Sequence, residues 1–293
     1  MQIDSKHPEK RMTLNCGGTL LSLEKPLIMG ILNITDDSFY NGSRFSEKEK
    51  ALEAAGKMLD DGAAILDIGG YSSRPGAKDI SVQEEMDRVI PVIELIHQNF
   101  PEAILSIDTF RGSIAKNAAK AGATMINDIS SGDDDSEMIK TVATLGLPYV
   151  AMHKKGTPRS MQKNPQYKNV VSEVLDYLIF KSHALKQAGI KDVIWDPGFG
   201  FGKTVQHNYQ LLANLESFVP FGYPLLVGIS RKSMTYKPLN IDAENALNGT
   251  TALHMFALMN GADILRVHDV KEAVQCVELF ERLKGGRVDE LIG

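Results

Sequence analysis

Eight short apolar runs, each ending in a polar or charged cluster, recur along nearly the whole 293-residue chain and leave few folds open to it. They run from Pro26 to Asn33, Ala64 to Asp67, Ala103 to Asp108, Thr124 to Asn127, Tyr149 to His153, Val193 to Asp196, Leu225 to Ser230 and Ile264 to His268. Continuous apolar strands separated by amphipathic stretches demand a parallel sheet covered on both faces by helices. Eight such βα units close most simply into one α/β domain, a single (β/α)8 TIM barrel, a fold that runs to about 250 residues. The C-terminal ends of its strands meet at one mouth, so the polar ends of the runs are candidate site residues.

The intervening segments support this order. Ser46 with Glu49 and Ser81 with Glu84 have capping-box spacing before helices expected over 46–59 and 86–96. Further helices are expected over 111–120, 136–145, 170–187, 206–215, 243–259 and 271–283, with Gly62, Gly122, Gly189 and Gly261 at helix ends where a left-handed cap belongs. Upstream, Met12 to Leu23 alternates around Asn15-Cys16-Gly17-Gly18, a β-hairpin pattern placed to close the bottom of the barrel. The expected division is a frayed segment over 1–11 and one barrel domain over 12–293. Three connections, 35–46, 69–81 and 153–169, exceed the usual length of about 2–6 residues and read as mobile loops over the mouth.

Composition removes several classes of function. A net charge of −5 offers no basic stripe for nucleic acid, and no apolar run reaches the roughly 18 residues of a membrane span. Cys16 and Cys276 lie far apart in a chain whose opening lacks an apolar signal segment, so they are expected to be free thiols in the cytoplasm. No His/Cys cluster points to zinc, and no Ser/His/Asp spacing points to a covalent nucleophile. Displacement or electrophile stabilisation without an enzyme nucleophile remains.

Around the rim, the strand ends supply Asn33, Asp67, Asp108, Asn127 with Asp128, His153, Asp196, Arg231 with Lys232, and Arg266 with His268. Asp108, Asn127, Asp196 and Lys232 combine acceptors, an amide and a cationic donor, a set that suits a flat heterocycle with donors and acceptors on one edge. Asp67 and Asp128 can equally cap the following helices. Arg74, Arg266 and His268 beside Asn33 describe a phosphate or diphosphate pocket with a divalent ion; Mg²⁺ held by one amide oxygen, waters and phosphate oxygens is chemically sensible. The alternative for Arg266 is an internal ion pair with Asp67 or Asp269. The stretch from Asp196 to Thr204 fails the P-loop spacing, because Pro197 stands where the first glycine belongs. Its glycines are expected to form a tight turn that brings backbone and Phe201 to a ligand, with Lys203 solvated. Trp195, the methionines, His97, His183, His207 and His254 read as structural.

Taken together, the strings resemble the dihydropteroate synthases, a pterin-binding TIM-barrel family. The matching stretches are Met29 to Thr35 with Asp37 to Phe39, Asp67 to Gly70 with Ser73 to Gly76, Ser106 to Thr109, Ile126 to Asp128, Met152-His153 with 156–162, Asp196 to Gly200, Ser230 to Ser233 and Arg266 to Asp269. The resemblance implies condensation of (dihydropterin-6-yl)methyl diphosphate with 4-aminobenzoate by a dissociative displacement, in which diphosphate leaves before the arylamine attacks. It implies that Asp108, Asn127, Asp196 and Lys232 hold the pterin with Met152 and Arg266 beside the ring, that Arg266 and His268 hold diphosphate, and that Asn33 binds Mg²⁺. Phe39, Ser73, Arg74, Pro75, Gly200, Phe201, Lys232 and Ser233 would form the aminobenzoate side, the part that sulfonamides would occupy. Catalysis would fall to Asp108, Asp196, Lys232, Arg266 and His268. A homodimer is implied as well, for which the apolar stretch Asn248 to Met259 offers either a dimer face or an ordinary core helix. Asp36, Asn41, Ser43, Tyr71 and Ser73 depart from the commonest family pattern, all on two loops expected to cover the reacting centre. A pterin-dependent methyltransferase of the same superfamily and a pterin-binding homologue without turnover are the alternatives.

Overall fold

Strands buried on both faces read as short continuous apolar runs, and their side chains alternate between the inside and the outside of the sheet. In a computed structural model that describes residues 10–34, 44–72, 79–157, 161 and 164–286, a two-stranded hairpin comes first, β1 (Thr13–Cys16) and β2 (Thr19–Ser22). The apolar runs then form β3 (Leu27–Asn33), β4 (Ile65–Gly69), β5 (Ile104–Asp108), β6 (Met125–Asp128), β7 (Tyr149–Met152), β8 (Val193–Asp196), β9 (Leu226–Val227) and β10 (Ile264–Val267). These eight are all parallel, in the order β8-β7-β6-β5-β4-β3-β10-β9. A parallel bridge between Trp195 and Leu225, with the Trp195 amide donating to the Pro224 carbonyl at 2.8 Å, joins β8 to β9 and closes the ring.

Helices α1 (Arg44–Asp60), α2 (Val82–Asn99), α3 (Gly112–Ala121), α4 (Met138–Leu145), α5 (Val170–Gln187), α6 (Val205–Ala213), the single-turn α7 (Ser233–Tyr236), α8 (Leu247–Met259) and α9 (Val270–Gly285) intervene. Side chains on the outer face of the strands, such as Leu66, Ile68, Leu105, Ile107, Trp195 and Leu265, join the main core beneath the helices. The inner face carries a second core of Met29, Ile65, Ile104, Met125, Val150, Ile194, Leu226 and Ile264. Leu14, Cys16 and Leu23 of the hairpin pack into this inner cluster from below and plug the barrel. Two residues further along the same inner face come Asp67, Ser106, Asn127, Met152, Asp196 and Arg266, so the strand period stacks a polar layer on an apolar one.

Several local expectations change. Ser81 accepts from the Glu84 amide at 3.1 Å and Glu84 accepts from the Ser81 amide at 2.7 Å, a full capping box, whereas Ser46 is already the third residue of α1. The helix expected over 206–215 stops at Ala213 and continues as a 3₁₀ segment, Leu215–Phe221, in which Pro220 cannot sustain α-helical bonding. The helix expected from Ala243 begins at Leu247, because Asp242 accepts from the Asn245 amide at 2.9 Å in a turn that precedes it. Residues 10 and 11 are tied down rather than frayed. Lys10 pairs with Asp263 at 2.7 Å, and Arg11 pairs with Asp192 and donates to the Lys191 carbonyl at 2.5 Å. Both cysteines are buried free thiols, and among the described residues no helix is long and apolar enough to cross a membrane. Much of the three long connections lies outside the described residues.

Candidate active site

Arg266 on β10 is the centre of the polar layer. Its Nε donates to Asp67 Oδ2 at 2.6 Å and its Nη2 to Asp108 Oδ2 at 2.7 Å. Asn127 Nδ2 donates to the same Asp67 oxygen at 2.9 Å. Four strands, β4, β5, β6 and β10, are thereby linked across the inside of the barrel. Asp67 is fully buried, while the Asp108 side chain remains 22% exposed at the rim. The pairing register sets Gly69 beside Asp108, its β-carbon position 3.4 Å from the Asp108 β-carbon.

On the opposite wall, Asp196 ends β8 and accepts from the Gly198 amide at 2.7 Å. Lys232, just before α7, donates to the Phe199 carbonyl at 2.5 Å and stands 4.8 Å over the Phe201 ring. Gly228 follows β9 on this wall, its β-carbon position 3.8 Å from both Lys232 Nζ and Arg266 Cβ, and β9 ends at Val227 although the apolar run continues to Ser230. Gly200, at a φ of +86°, passes below Lys232 with its β-carbon position 3.3 Å from Lys232 Cδ.

These neighbours shift one another's protonation. Burial raises the Asp108 carboxyl to about 7, with Arg266 opposing and the Asp67 carboxylate adding to the rise. Burial likewise raises Asp196, with Lys232 opposing. Lys232 is lowered to about 8 by burial, Asp196 opposing and Arg266 reinforcing. Burial disfavours the Arg266 cation too, yet Asp67 and Asp108 more than restore it and its pKa is raised. Arg266 is therefore a permanent cation, beside groups that titrate near neutrality.

His268 follows β10. Its backbone amide donates to Ser230 Oγ at 3.2 Å, and its ring Nδ1 lies 3.1 Å from the same oxygen. The Ser230 hydroxyl thus holds the imidazole in place, and which of the two donates depends on the ring tautomer. Met152 is buried and sits in register with Asp196, Asn33 ends β3 beside Gly69, and Ser233 opens α7. Phe39, Ser73, Arg74 and Pro75, with the departures at Asp36, Asn41 and Ser43, lie outside the described residues. Tyr71 is described. Its ring meets Phe110 edge-on at 5.1 Å, and the Arg111 guanidinium covers both rings at 5.5 and 5.1 Å.

Four rim residues turn away from the mouth. Asp128 holds the turn after β6, accepting from the Ser130 and Gly132 amides at 2.7 Å each and from the Tyr149 hydroxyl at 2.6 Å. Arg231 forms a two-pronged pair with Asp269 at 2.8 and 2.6 Å. His153 is buried against Lys203, whose Nζ lies 2.9 Å from His153 Nδ1. Lys203 itself is buried rather than solvated. It donates to the carbonyls of Gly198 at 2.8 Å and of His153 and Phe201 at 3.2 Å each, pinning the glycine-rich turn from beneath.

Asp67 is the residue whose role strand-end reasoning left open. It caps no helix; the signal was its parity with Ile65, which puts both side chains inside the barrel. Glu85 went unnoticed because it lies on a helix. It is fully buried, and accepts from the Thr109 hydroxyl and Arg111 Nη1 at 2.7 Å each, bracing the segment that follows Asp108.

Known proteins resemble this chain in sequence and in fold. Residues 29–268 match the model of a family described as pterin binding enzyme. The dihydropteroate synthase of Escherichia coli strain K12 is 46% identical over 272 residues, which cover 92% of this chain and 96% of that protein. The crystal structure of Yersinia pestis dihydropteroate synthase in complex with a sulfonamide drug superposes with a TM-score of 0.88 at 42% identity, covering 94% of this chain and 100% of the other. The Xanthomonas albilineans dihydropteroate synthase, solved with 4-aminobenzoic acid, gives a TM-score of 0.88 at 38% identity over 94% of this chain and 99% of the other.

Proposed function

The chain belongs to the pterin-binding enzyme family and, within it, to the dihydropteroate synthases, and on that premise we propose how its mouth performs the condensation. The activity is that of a transferase that joins (dihydropterin-6-yl)methyl diphosphate to 4-aminobenzoate, releasing dihydropteroate and diphosphate. The methyltransferase alternative is not favoured by these relatives.

One observation carries the assignment of roles: Asp108 bonds to Arg266, Asn127 shares the Asp67 oxygen with it, and Asp196 and Lys232 lie close enough to feel its charge. In our reading the two carboxylates and the amide accept from pterin N–H groups, and Lys232 donates to the pterin carbonyl. Met152 packs beside the ring. Arg266 and the His268 imidazole bind the diphosphate, so charge that develops on the departing oxygen meets the Arg266 cation already in place.

The methylene carbon–oxygen bond breaks with its electron pair leaving on diphosphate. The lone pair of the neutral arylamine forms the new carbon–nitrogen bond, and the amine proton is lost afterwards to solvent. Asp108, at the rim, faces the positive centre in between. Phe201, Gly200 and Ser233, together with Phe39, Ser73, Arg74 and Pro75, form the aminobenzoate side.

Asn33 fits a divalent ion of this kind: an amide oxygen at the rim is a hard donor, and Mg²⁺ takes few protein ligands when waters and phosphate oxygens complete its shell. When bound there, Mg²⁺ would neutralise charge on the diphosphate. For assembly we favour a homodimer through α8, which exposes Phe256 and Met259. For compartment we favour the reducing cytoplasm, which suits two buried unpaired thiols.

The test is diphosphate release on mixing the pterin diphosphate with 4-aminobenzoate and Mg²⁺. Stoichiometric release with formation of dihydropteroate is expected. Binding of the pterin without release would refute the assignment.

A further inference from the structure

A single oxygen, Asp67 Oδ2, receives hydrogen bonds from Arg266 Nε at 2.6 Å and from Asn127 Nδ2 at 2.9 Å, inside a fully buried residue. A carboxylate beside a guanidinium can only accept, so the Asn127 amide must turn its NH₂ group toward β4. The other end of that amide, its carbonyl oxygen, is then the atom offered to a ligand. An amide without such a neighbour can present either end, because the two have the same shape.

We propose that Asp67 is a positioning residue that fixes the sense of the Asn127 amide, and so makes the pocket select a heterocycle that donates at this edge over one that accepts there. The inference rests on the assignment of this mouth to a pterin. The discriminating group is the exocyclic 2-amino group, the N–H donor on the edge of the ring that acceptors would face. Arg266, held by the same oxygen, is aimed at the same time, so a single carboxylate orients both the base-reading amide and the diphosphate-binding cation.

A residue that only stabilised the barrel would affect all ligands alike. Asp67 should affect their ratio. The probes are 6-hydroxymethylpterin and its 2-oxo counterpart, in which oxygen replaces the 2-amino group, titrated calorimetrically against the full-length protein. The parent is expected to prefer the 2-amino compound by at least about tenfold, since a wrongly paired buried amide is heavily penalised.

In Asp67→Ala the amide is free to reverse and donate to the 2-oxo group, so the preference should fall by about tenfold. Asp67→Thr tests the same point with a β-branched residue suited to a buried strand, should the alanine variant not fold; its hydroxyl donates as readily as it accepts, and the preference should fall again. Asp67→Asn can keep an oxygen toward Arg266 and Asn127 and is expected to hold the ratio within about threefold of the parent. Loss of affinity for both probes in equal proportion in the alanine or threonine variant would overturn the inference. A parent protein that binds neither probe, or shows no preference, would instead refute the pterin assignment itself.

Discussion

At the lower end of the barrel, Met29, Ile65, Ile104, Met125, Val150, Ile194, Leu226 and Ile264 face Leu14, Cys16 and Leu23 in a dry cluster. Two residues further up the same strands, Asp67, Asn127, Asp196 and Arg266 form a layer in which burial raises the Asp196 carboxyl, while burial disfavours the Arg266 cation and the neighbouring carboxylates restore it. The lower layer stabilises by removing apolar surface from water and offers no chemistry. The upper layer holds charged groups that burial alone disfavours, balanced against one another until a ligand arrives. Among the described residues, Asp67 Oδ1 and Ser106 Oγ on adjacent strands are buried without a hydrogen-bond partner, so this balance is incomplete there. Stability and recognition are thus separated by one strand repeat, and substitutions at the two levels should have opposite signatures.

The sharpest break is at Asp196. Replacing it with alanine removes a buried acceptor and should weaken pterin binding by at least about 100-fold in a calorimetric titration. Asp196→Asn should bind poorly too, yet unfold at pH 8 no earlier than the parent. Because burial raises this carboxyl, its ionised form lowers stability above the unfolded-state value of about 4, and the amide removes that burden. A large loss of melting temperature in the asparagine variant would contradict the contrast between layers.

Leu14→Ala tests the other level. It leaves a cavity beneath the barrel and should lower unfolding free energy by about 2–4 kcal/mol in denaturant titration, with KM for both substrates unchanged. A shift in either KM would show that the plug communicates with the mouth.

The smallest expected effect is in pH. With Asp108 needed ionised and Lys232 needed protonated, kcat/KM should rise through about 7 and decline above about 8. Asp108→Asn should flatten the acidic limb. Stability runs the other way: the folded protein keeps the Asp108 proton to higher pH than the unfolded chain, so this group's contribution declines as pH rises from about 4 to about 7. An acidic limb unchanged in the asparagine variant would remove Asp108 from the reacting state.

Much of this was legible in the chain itself. The apolar runs were long enough to mark strands, and Asp108, Asn127, Asp196 and Arg266 lie at strand ends where an α/β barrel must gather them. Helix ends were less legible, as α6 and α8 show, because a proline or a side-chain turn shifts a boundary by a few residues while the pattern of burial stays the same. Lys203 and Arg231 were misplaced for a different reason. A flexible cation in a loop has several acceptors within reach, and local sequence does not say which. Backbone carbonyls of the glycine-rich turn took Lys203, and Asp269 took Arg231.

The order and period of the residues alone determined the barrel, its plugged base and the set of polar groups at its rim, since both strand alternation and parallel crossover are local rules. Only the folded chain decided which carboxylate holds Arg266, which way the Asn127 amide faces and which lysine is buried. Those outcomes depend on distances between strands far apart in sequence, and on a competition for acceptors that exists only once water has been excluded.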